Sequence, residues 1–140
     1  MKISASVFSN HILNSKKLNL GDIYFFHNFA VVEFNEGVHI DIYNSDQIFD
    51  ELNNYYGYSK PFGVIANRVN SYSVNLLDID LFREKSKNLC AYAVVGHNFA
   101  SKMNAVIENS FCENDTINYD NLHEAIDALT YKLRKCDLAI

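Results

Sequence analysis

The stretch "KPFGVIANRVNSYSVNLLD", residues 60–78, contains an apolar run that is followed at once by polar side chains. The run "FGVIA" at 62–66 is typical of a strand that is buried on both faces at a central, parallel position of a sheet. A second run of this kind, "LCAYAVVG", spans residues 89–96. We therefore predict two neighbouring parallel strands whose carboxyl ends deliver their following polar residues to one shared edge.

Residues 18–43 are rich in β-branched and aromatic side chains and predict successive short strands at about 22–26, 29–34 and 38–42. The first two of these are expected to form a hairpin. Asn35-Glu36-Gly37 predicts a turn or bulge, because glycine accepts a positive φ without penalty. Residues 1–17 are expected to form an irregular lead.

Helical spacing of apolar residues begins after residue 43. Asn44 and Gln47 predict a capping box at the start of a first helix, and Gly57 predicts its end. Asn75 is the expected N-cap of a second helix. A third helix is predicted after Asn98, a short edge strand at 116–119, and a last helix after the Asn121–Glu124 capping pattern.

This alternation predicts an α/β fold with a mixed, mainly parallel sheet of 4–6 strands, about four helices and an N-terminal β-hairpin. No linker of biased composition divides the chain, so residues 1–140 are expected to form a single domain.

The composition bears on several classes of partner. The formal net charge of −5, with scattered basic residues, argues against binding to nucleic acid. No apolar run is long enough to predict a membrane span, and the N-terminus does not resemble a secretory signal. Cys90, Cys112 and Cys136 form an odd, widely spaced set, which favours reduced thiols and a cytoplasmic location. Cys90 is expected to be a small core residue.

The stretches "FFHNFAVVEFNEGVHI" (25–40), "YYGYSKPFGVIANRVNSYSV" (55–74) and "NLHEAIDAL" (121–129) resemble the SpoIIAA-like group. This group includes STAS domains and SEC14-like lipid-binding relatives, and the chain looks most similar to small uncharacterised bacterial members. The resemblance covers roughly residues 18–130. It implies a regulatory module that works by docking to another protein.

STAS antagonists carry a phosphorylatable serine in the loop after the third strand, within an Asp-Ser-Ser-Gly-like motif. Ser71 and Ser73 occupy that topological place here and are the phosphorylation candidates that the resemblance implies. Asn67 stands roughly where the motif has its acidic residue, and the glycine is missing.

The loop at 67–75 is the candidate site for a partner or ligand, since a helix N-terminus behind it favours an anion. Its candidate residues are Asn67, Arg68, Asn70, Ser71, Tyr72 and Ser73, and His97 is expected at the same edge after the second central strand. The alternative is that these side chains satisfy turn and cap hydrogen bonds while Arg68 is an ordinary surface charge. Tyr72 is interpreted either as an exposed anchor or as a half-buried lid.

Signatures of catalysis are missing from the sequence. It contains no metal-ligand spacing, no marked nucleophile and no phosphate-binding glycine motif, so we expect no catalytic residue, no metal and no cofactor. The leading hypothesis is a non-catalytic regulatory or protein-interaction module that docks through residues 67–85, with an exposed patch around Tyr72, Leu76 and Leu77.

The alternative function is the binding of a small apolar ligand or lipid, as in SEC14-like relatives. Nine tyrosines and ten phenylalanines could line a cavity, although a core of this size also needs them for packing. An anionic ligand between Arg68 and His97 is a further prediction. If the hairpin lies at a sheet edge, it also offers a surface for a homodimer.

Overall fold

The computed structural model describes residues 1–57, 60–85, 88–96 and 118–138. Its strands are β1 (Asn14–Lys17), β2 (Gly21–Phe25), β3 (Phe29–Phe34), β4 (His39–Ile40), β5 (Phe62–Arg68), β6 (Ser73–Val74), β7 (Leu89–Gly96) and β8 (Asn118–Tyr119). Its α-helices are α1 (Asp46–Tyr56), α2 (Ile79–Lys85) and α3 (Leu122–Leu138). Short 3-10 helices span Ile3–Ala5, Val7–His11 and Leu76–Asp78. The helix predicted after Asn98 lies outside the described residues, so the expected number of about four helices is not confirmed.

Six strands form one mixed sheet in the order β1-β2-β3-β5-β7-β8. The pairs β1–β2 and β2–β3 are antiparallel, while β3–β5, β5–β7 and β7–β8 are parallel. The predicted hairpin of β2 and β3 and the parallel pairing of the two apolar runs are therefore confirmed. Since Arg68 lies opposite Gly96 in the register, the carboxyl ends of β5 and β7 meet at the same edge.

The third predicted strand, β4, lies outside this sheet. It pairs in parallel with β6, with His39 opposite Ser73 and Ile40 opposite Val74. This second, two-stranded sheet brings the candidate loop against the segment that follows β3.

Apolar side chains cover both faces of the central strands, which explains why these strands are continuously hydrophobic. On one face, Val31 and Ile65 pack in a cluster with Leu129 and Leu133 of α3. On the other face, the buried cluster includes Val32, Val64 and the α1 residues Ile48, Leu52 and Tyr56. The sheet is thus a middle layer between α1 and α3.

Among the described residues, the helix ends follow the sequence at three of the four predicted positions. The α1 helix ends at Gly57, which has φ 81°. The Asn121 side chain accepts a hydrogen bond from the Glu124 N–H at 2.9 Å at the start of α3. Asn75 accepts from the Leu77 N–H at 3.3 Å and so caps the 3-10 turn that precedes α2.

The predicted capping box at Asn44 is wrong. The α1 helix begins at Asp46, and its N-cap is Ser45. The Asn44 side chain instead accepts from the Asp41 N–H at 2.9 Å and donates to the His39 carbonyl at 2.7 Å. The Asn44 side chain is therefore bonded within a tight turn and does not cap the helix.

Two further expectations need correction. The lead is not irregular, because it contains two 3-10 helices and strand β1, and its Ile3 is fully buried. Cys90 is neither a core residue nor a reduced thiol, since it is exposed and disulfide-bonded. Within the described ranges, none of the helices has the length and apolarity that crossing a membrane requires.

Candidate functional site

The candidate loop is fixed along its length by the residues that follow β3. Backbone hydrogen bonds run from the Gly37 N–H to the Ser71 carbonyl (2.7 Å), from the Ser73 N–H to the Val38 carbonyl (3.0 Å) and from the Asn75 N–H to the Ile40 carbonyl (2.8 Å). The loop is therefore an ordered element, held by the same kind of bonds as a sheet.

The polar groups of the loop also have local partners. The Asn70 side chain donates to the Phe34 carbonyl at 3.0 Å. The Ser71 N–H donates to the Glu36 carboxylate at 2.7 Å, and the Ser73 hydroxyl lies 2.6 Å from His39 Nδ1. These contacts are those expected of turn residues, while the Ser71 and Ser73 side chains stay on the exposed side.

Asn67 and Arg68 lie inside the protein, so the expectation that Arg68 is a surface charge is wrong. Asn67 is fully buried and donates to the Glu33 carboxylate at 2.6 Å and to the Met1 carbonyl at 2.9 Å. Arg68 is 1% exposed and donates to the Tyr72 carbonyl at 2.7 Å. Part of the predicted crevice at the end of β5 is thus filled by Met1.

Tyr72 is not an exposed anchor. Its ring is 5% exposed, lies 4.8 Å from the Phe34 ring and stacks over the Arg68 guanidinium at 3.8 Å. Tyr72 belongs to the buried cluster on the face of the sheet that packs against α1. His97 lies outside the described residues, so the proposed pairing of Arg68 with His97 stays a prediction.

A different group of exposed apolar side chains lies beside the loop. Tyr43 is 85% exposed, Leu77 is 87% exposed and Leu81 is 44% exposed. We call these three residues the Tyr43–Leu81 surface. Of the predicted patch, Tyr72 is buried and Leu77 is exposed, whereas the Leu76 side chain lies outside the described ones.

The two segments that carry this surface are joined by polar contacts. The Ile42 N–H donates to the Asp78 carboxylate at 2.9 Å, next in sequence to Tyr43 and Leu77. Lys85 on α2 donates to the Ile42 carbonyl and forms an ion pair with Asp46. No sequence pattern indicates Tyr43, because its position near α2 depends on the contacts of Ile42 with Asp78 and Lys85.

The aromatic side chains in the described part pack mainly against one another. Phe25 stacks on Tyr55 at 4.2 Å between ring centroids, and Tyr56 stacks on Phe62 at 4.8 Å. A groove of about 350 Å³ lies between the β1–β2 turn and α1. Its lining is mostly polar, and consists of Lys17, Leu18, Asn19, Gln47, Asp50 and Glu51. Phe25, Tyr56 and Phe62 are buried in the core, and none of the residues that line this groove is aromatic.

These features define a mixed α/β protein in which the central parallel strand β5 leads into an ordered loop. The chain is similar to the crystal structure of an uncharacterized protein from the DUF3478 family of Shewanella loihica PV-4, which is described as having a SpoIIAA-like fold. The two share 12% sequence identity with a TM-score of 0.49, over 83% of this chain and 90% of that chain. The fold named for that protein is the one of the group that the three sequence stretches resemble. Comparison with models of known protein families and with curated proteins gives no match.

Proposed function

We propose that this chain is a non-catalytic protein-interaction module that docks to another protein through the Tyr43–Leu81 surface. The observation that supports this proposal is the exposure of three large apolar side chains on two segments that are hydrogen-bonded to each other. Single exposed apolar residues are ordinary, but a group of them on fixed neighbouring segments is typical of interaction sites.

The surface is suited to docking because little conformational freedom is lost on binding. The Asp78 carboxylate holds the turn before α1, since it accepts from the Ile42 N–H and from the Asn75 amide at 3.2 Å. Tyrosine adds a large ring with few rotatable bonds, which is the composition favoured at interface centres.

Ser71 and Ser73 lie on the exposed side of the neighbouring loop and stay the candidates for phosphorylation. A phosphate on Ser71 would approach the Glu36 carboxylate that accepts the Ser71 N–H. Repulsion between these negative charges would loosen the contact between the loop and the Glu36 turn, and thereby couple modification to docking.

The proposal is tested by affinity capture from an extract of the native host, with proteins quantified by mass spectrometry. The test variant is Tyr43→Ser combined with Leu77→Ser, and the control is Tyr131→Ser, which changes an exposed tyrosine (61%) on α3. We expect the wild-type chain and the control to enrich the same proteins and the double variant to lose them. Equal enrichment by all three chains would contradict docking at this surface.

The binding of a small apolar ligand or lipid stays a prediction, and no observation in the described residues favours it. Native mass spectrometry of protein purified from its host separates the two functions. An interaction module is expected to give the mass of the bare chain, whereas a carrier is expected to retain an additional small molecule.

A further inference from the structure

A buried carboxylate lies near the carboxyl end of an otherwise apolar strand. Glu33 on β3 is 5% exposed, and its Oε2 atom accepts from the Ile3 N–H at 2.8 Å and from the Asn67 amide at 2.6 Å. A buried charge is costly unless it is hydrogen-bonded, so Glu33 depends on these donors. One of the two donors is the main chain of the N-terminal segment.

Asn67 on β5 binds the same N-terminal segment at the Met1 carbonyl. Its amide group donates to the Met1 carbonyl at 2.9 Å as well as to Glu33. Together, Glu33 and Asn67 therefore bind one N–H and one carbonyl of a main chain, two residues apart. Recognition of a peptide can combine main-chain hydrogen bonds of this kind with a pocket for a side chain.

The pocket is occupied by the Ile3 side chain. Ile3 is fully buried in the cluster that contains Val31, Ile65 and Leu122. Residues of β3, β5 and α3 thus form a pocket for an aliphatic side chain next to the Glu33–Asn67 pair. We call this pocket and the pair the Ile3 site.

Phe8 and Ile12 pack against the same core cluster, whereas Met1–Ser6 has few buried contacts besides Ile3. Of residues 1–13, only Ile3 and Ser6 are buried, and Val7 is 82% exposed. The segment consists of 3-10 turns, which are short and have weaker hydrogen-bond geometry than α-helices. Segments with few buried contacts open locally without unfolding of the whole protein.

We propose that the Ile3 site is a peptide-binding site that the chain's own Met1–Ser6 segment fills. When this segment leaves, the site takes a peptide that has an aliphatic residue at the position of Ile3 and an extended residue before it, as Lys2 is in this chain. The N–H of that residue bonds to Glu33, and the carbonyl two residues earlier bonds to Asn67. The Ile3 site is separate from the Tyr43–Leu81 surface, and neither proposal depends on the other.

The test uses the full-length chain and a fluorescently labelled synthetic peptide of residues 1–12, MKISASVFSNHI, followed by fluorescence anisotropy. The variant Ile3→Ser weakens the chain's own occupant, while Val7→Ser changes an exposed residue of the same segment. A peptide can bind only to molecules in which the chain's own segment has left the site, so the apparent affinity is reduced to the fraction of such molecules. We therefore expect Ile3→Ser to bind the peptide at least about tenfold more tightly than the wild-type chain. Val7→Ser should bind as the wild-type chain does, and a peptide with Asp at the third position should not bind.

Hydrogen exchange of the wild-type chain provides a second measurement that needs no variant. The Ile3 amide should exchange through local opening, faster than the core amides of Val31 and Ile65. The proposal is overturned if the Ile3 amide exchanges as slowly as those core amides. It is also overturned if the Ile3→Ser chain, folded by circular dichroism, does not bind the peptide; should that variant not fold, the exchange result decides.

Discussion

The ring of Tyr72 joins the candidate loop to the protein interior. It contacts the Arg68 guanidinium on one side and the Phe34 ring on another. We expect Tyr72→Leu to lower the free energy of unfolding by about 1–3 kcal/mol, because leucine keeps apolar volume but loses the aromatic and cation–π contacts. The decrease is measured by urea denaturation.

The matched control is the same substitution at Tyr43, whose side chain is 85% exposed. Tyr43→Leu should change the free energy of unfolding by no more than about 0.5 kcal/mol, as is usual for surface positions. Equal effects at the two tyrosines would show that the burial of Tyr72 does not stabilise the fold.

Arg68 and Tyr72 also show what single residues in a sequence do not reveal. In "NRVNSYS", residues 67–73, five of the seven side chains are Asn, Arg or Ser, which suggests a solvated loop. The fold buries Arg68 because the loop turns back and its own Tyr72 ring and carbonyl contact the guanidinium. That turn depends on β4, so the burial follows from a tertiary pairing.

Close packing between the sheet and α3 depends on Gly63 in β5. A Cβ atom at this position would lie 2.9 Å from side-chain atoms of Leu129, which is itself buried. We expect Gly63→Ala to lower the free energy of unfolding by about 1–3 kcal/mol, because a packed core has no room for the extra methyl group. Thermal or urea unfolding measures this loss.

A double-mutant cycle gives the control for this prediction. Leu129→Ala alone should cost about 2–5 kcal/mol through the cavity that it leaves. In the double variant the new methyl group occupies part of that cavity, so the combined loss should be smaller than the sum of the two single losses. Strict additivity would contradict a direct contact between Gly63 and Leu129.

Among the helices and strands, local patterns predicted most of the ends but could not rank competing uses of one side chain. Asn121 has no alternative partner among the described contacts and caps α3 as predicted. Asn44 precedes another N-cap residue, Ser45, and its amide is used by the turn that starts at His39. The sequence allows the Asn44 side chain either to cap α1 or to bond within the turn. It bonds within the turn, which also positions β4.

The parallel pairing of β5 and β7 was predictable because their continuous apolar runs are typical of central strands that are buried on both faces. The cover over the carboxyl end of β5 was not predictable. It depends on Ile3 and Glu33, which are 30 residues apart, and on Met1 and Asn67, which are 66 residues apart. Periodicity and propensity describe neighbours along the chain, whereas these hydrogen bonds exist only once the sheet has formed.

The stability of the whole molecule should depend on alkaline pH through its buried tyrosines. Tyr56 at the end of α1 donates to the Phe26 carbonyl at 2.9 Å and to the Phe29 carbonyl, so it holds the β2–β3 turn. Burial raises the pKa of Tyr56 above its usual value near 10. Burial, followed by the charges of Asp22 and Glu33, also raises the pKa of Tyr24.

The direction of the effect follows from the raised pKa values. The contribution of these tyrosines to the free energy of unfolding is fully present below the pKa of an unfolded tyrosine, about 10. Above that pH the unfolded chain releases protons that the folded chain keeps, so the free energy of unfolding falls as pH rises. For Tyr56 the slope reaches about 1.4 kcal/mol per pH unit.

Tyr56→Phe isolates this contribution from the titration of other groups. At neutral pH the variant should be less stable by about 1–3 kcal/mol, because the hydrogen bonds from the buried Tyr56 hydroxyl to the Phe26 and Phe29 carbonyls are lost. Above about pH 10 its stability should fall less steeply than that of the wild-type chain, so the two curves converge. Tyr131→Phe, at a 61% exposed position, should follow the wild-type curve. Urea midpoints measured across this range test the prediction, and curves for wild type and Tyr56→Phe that stay parallel above pH 10 would contradict it.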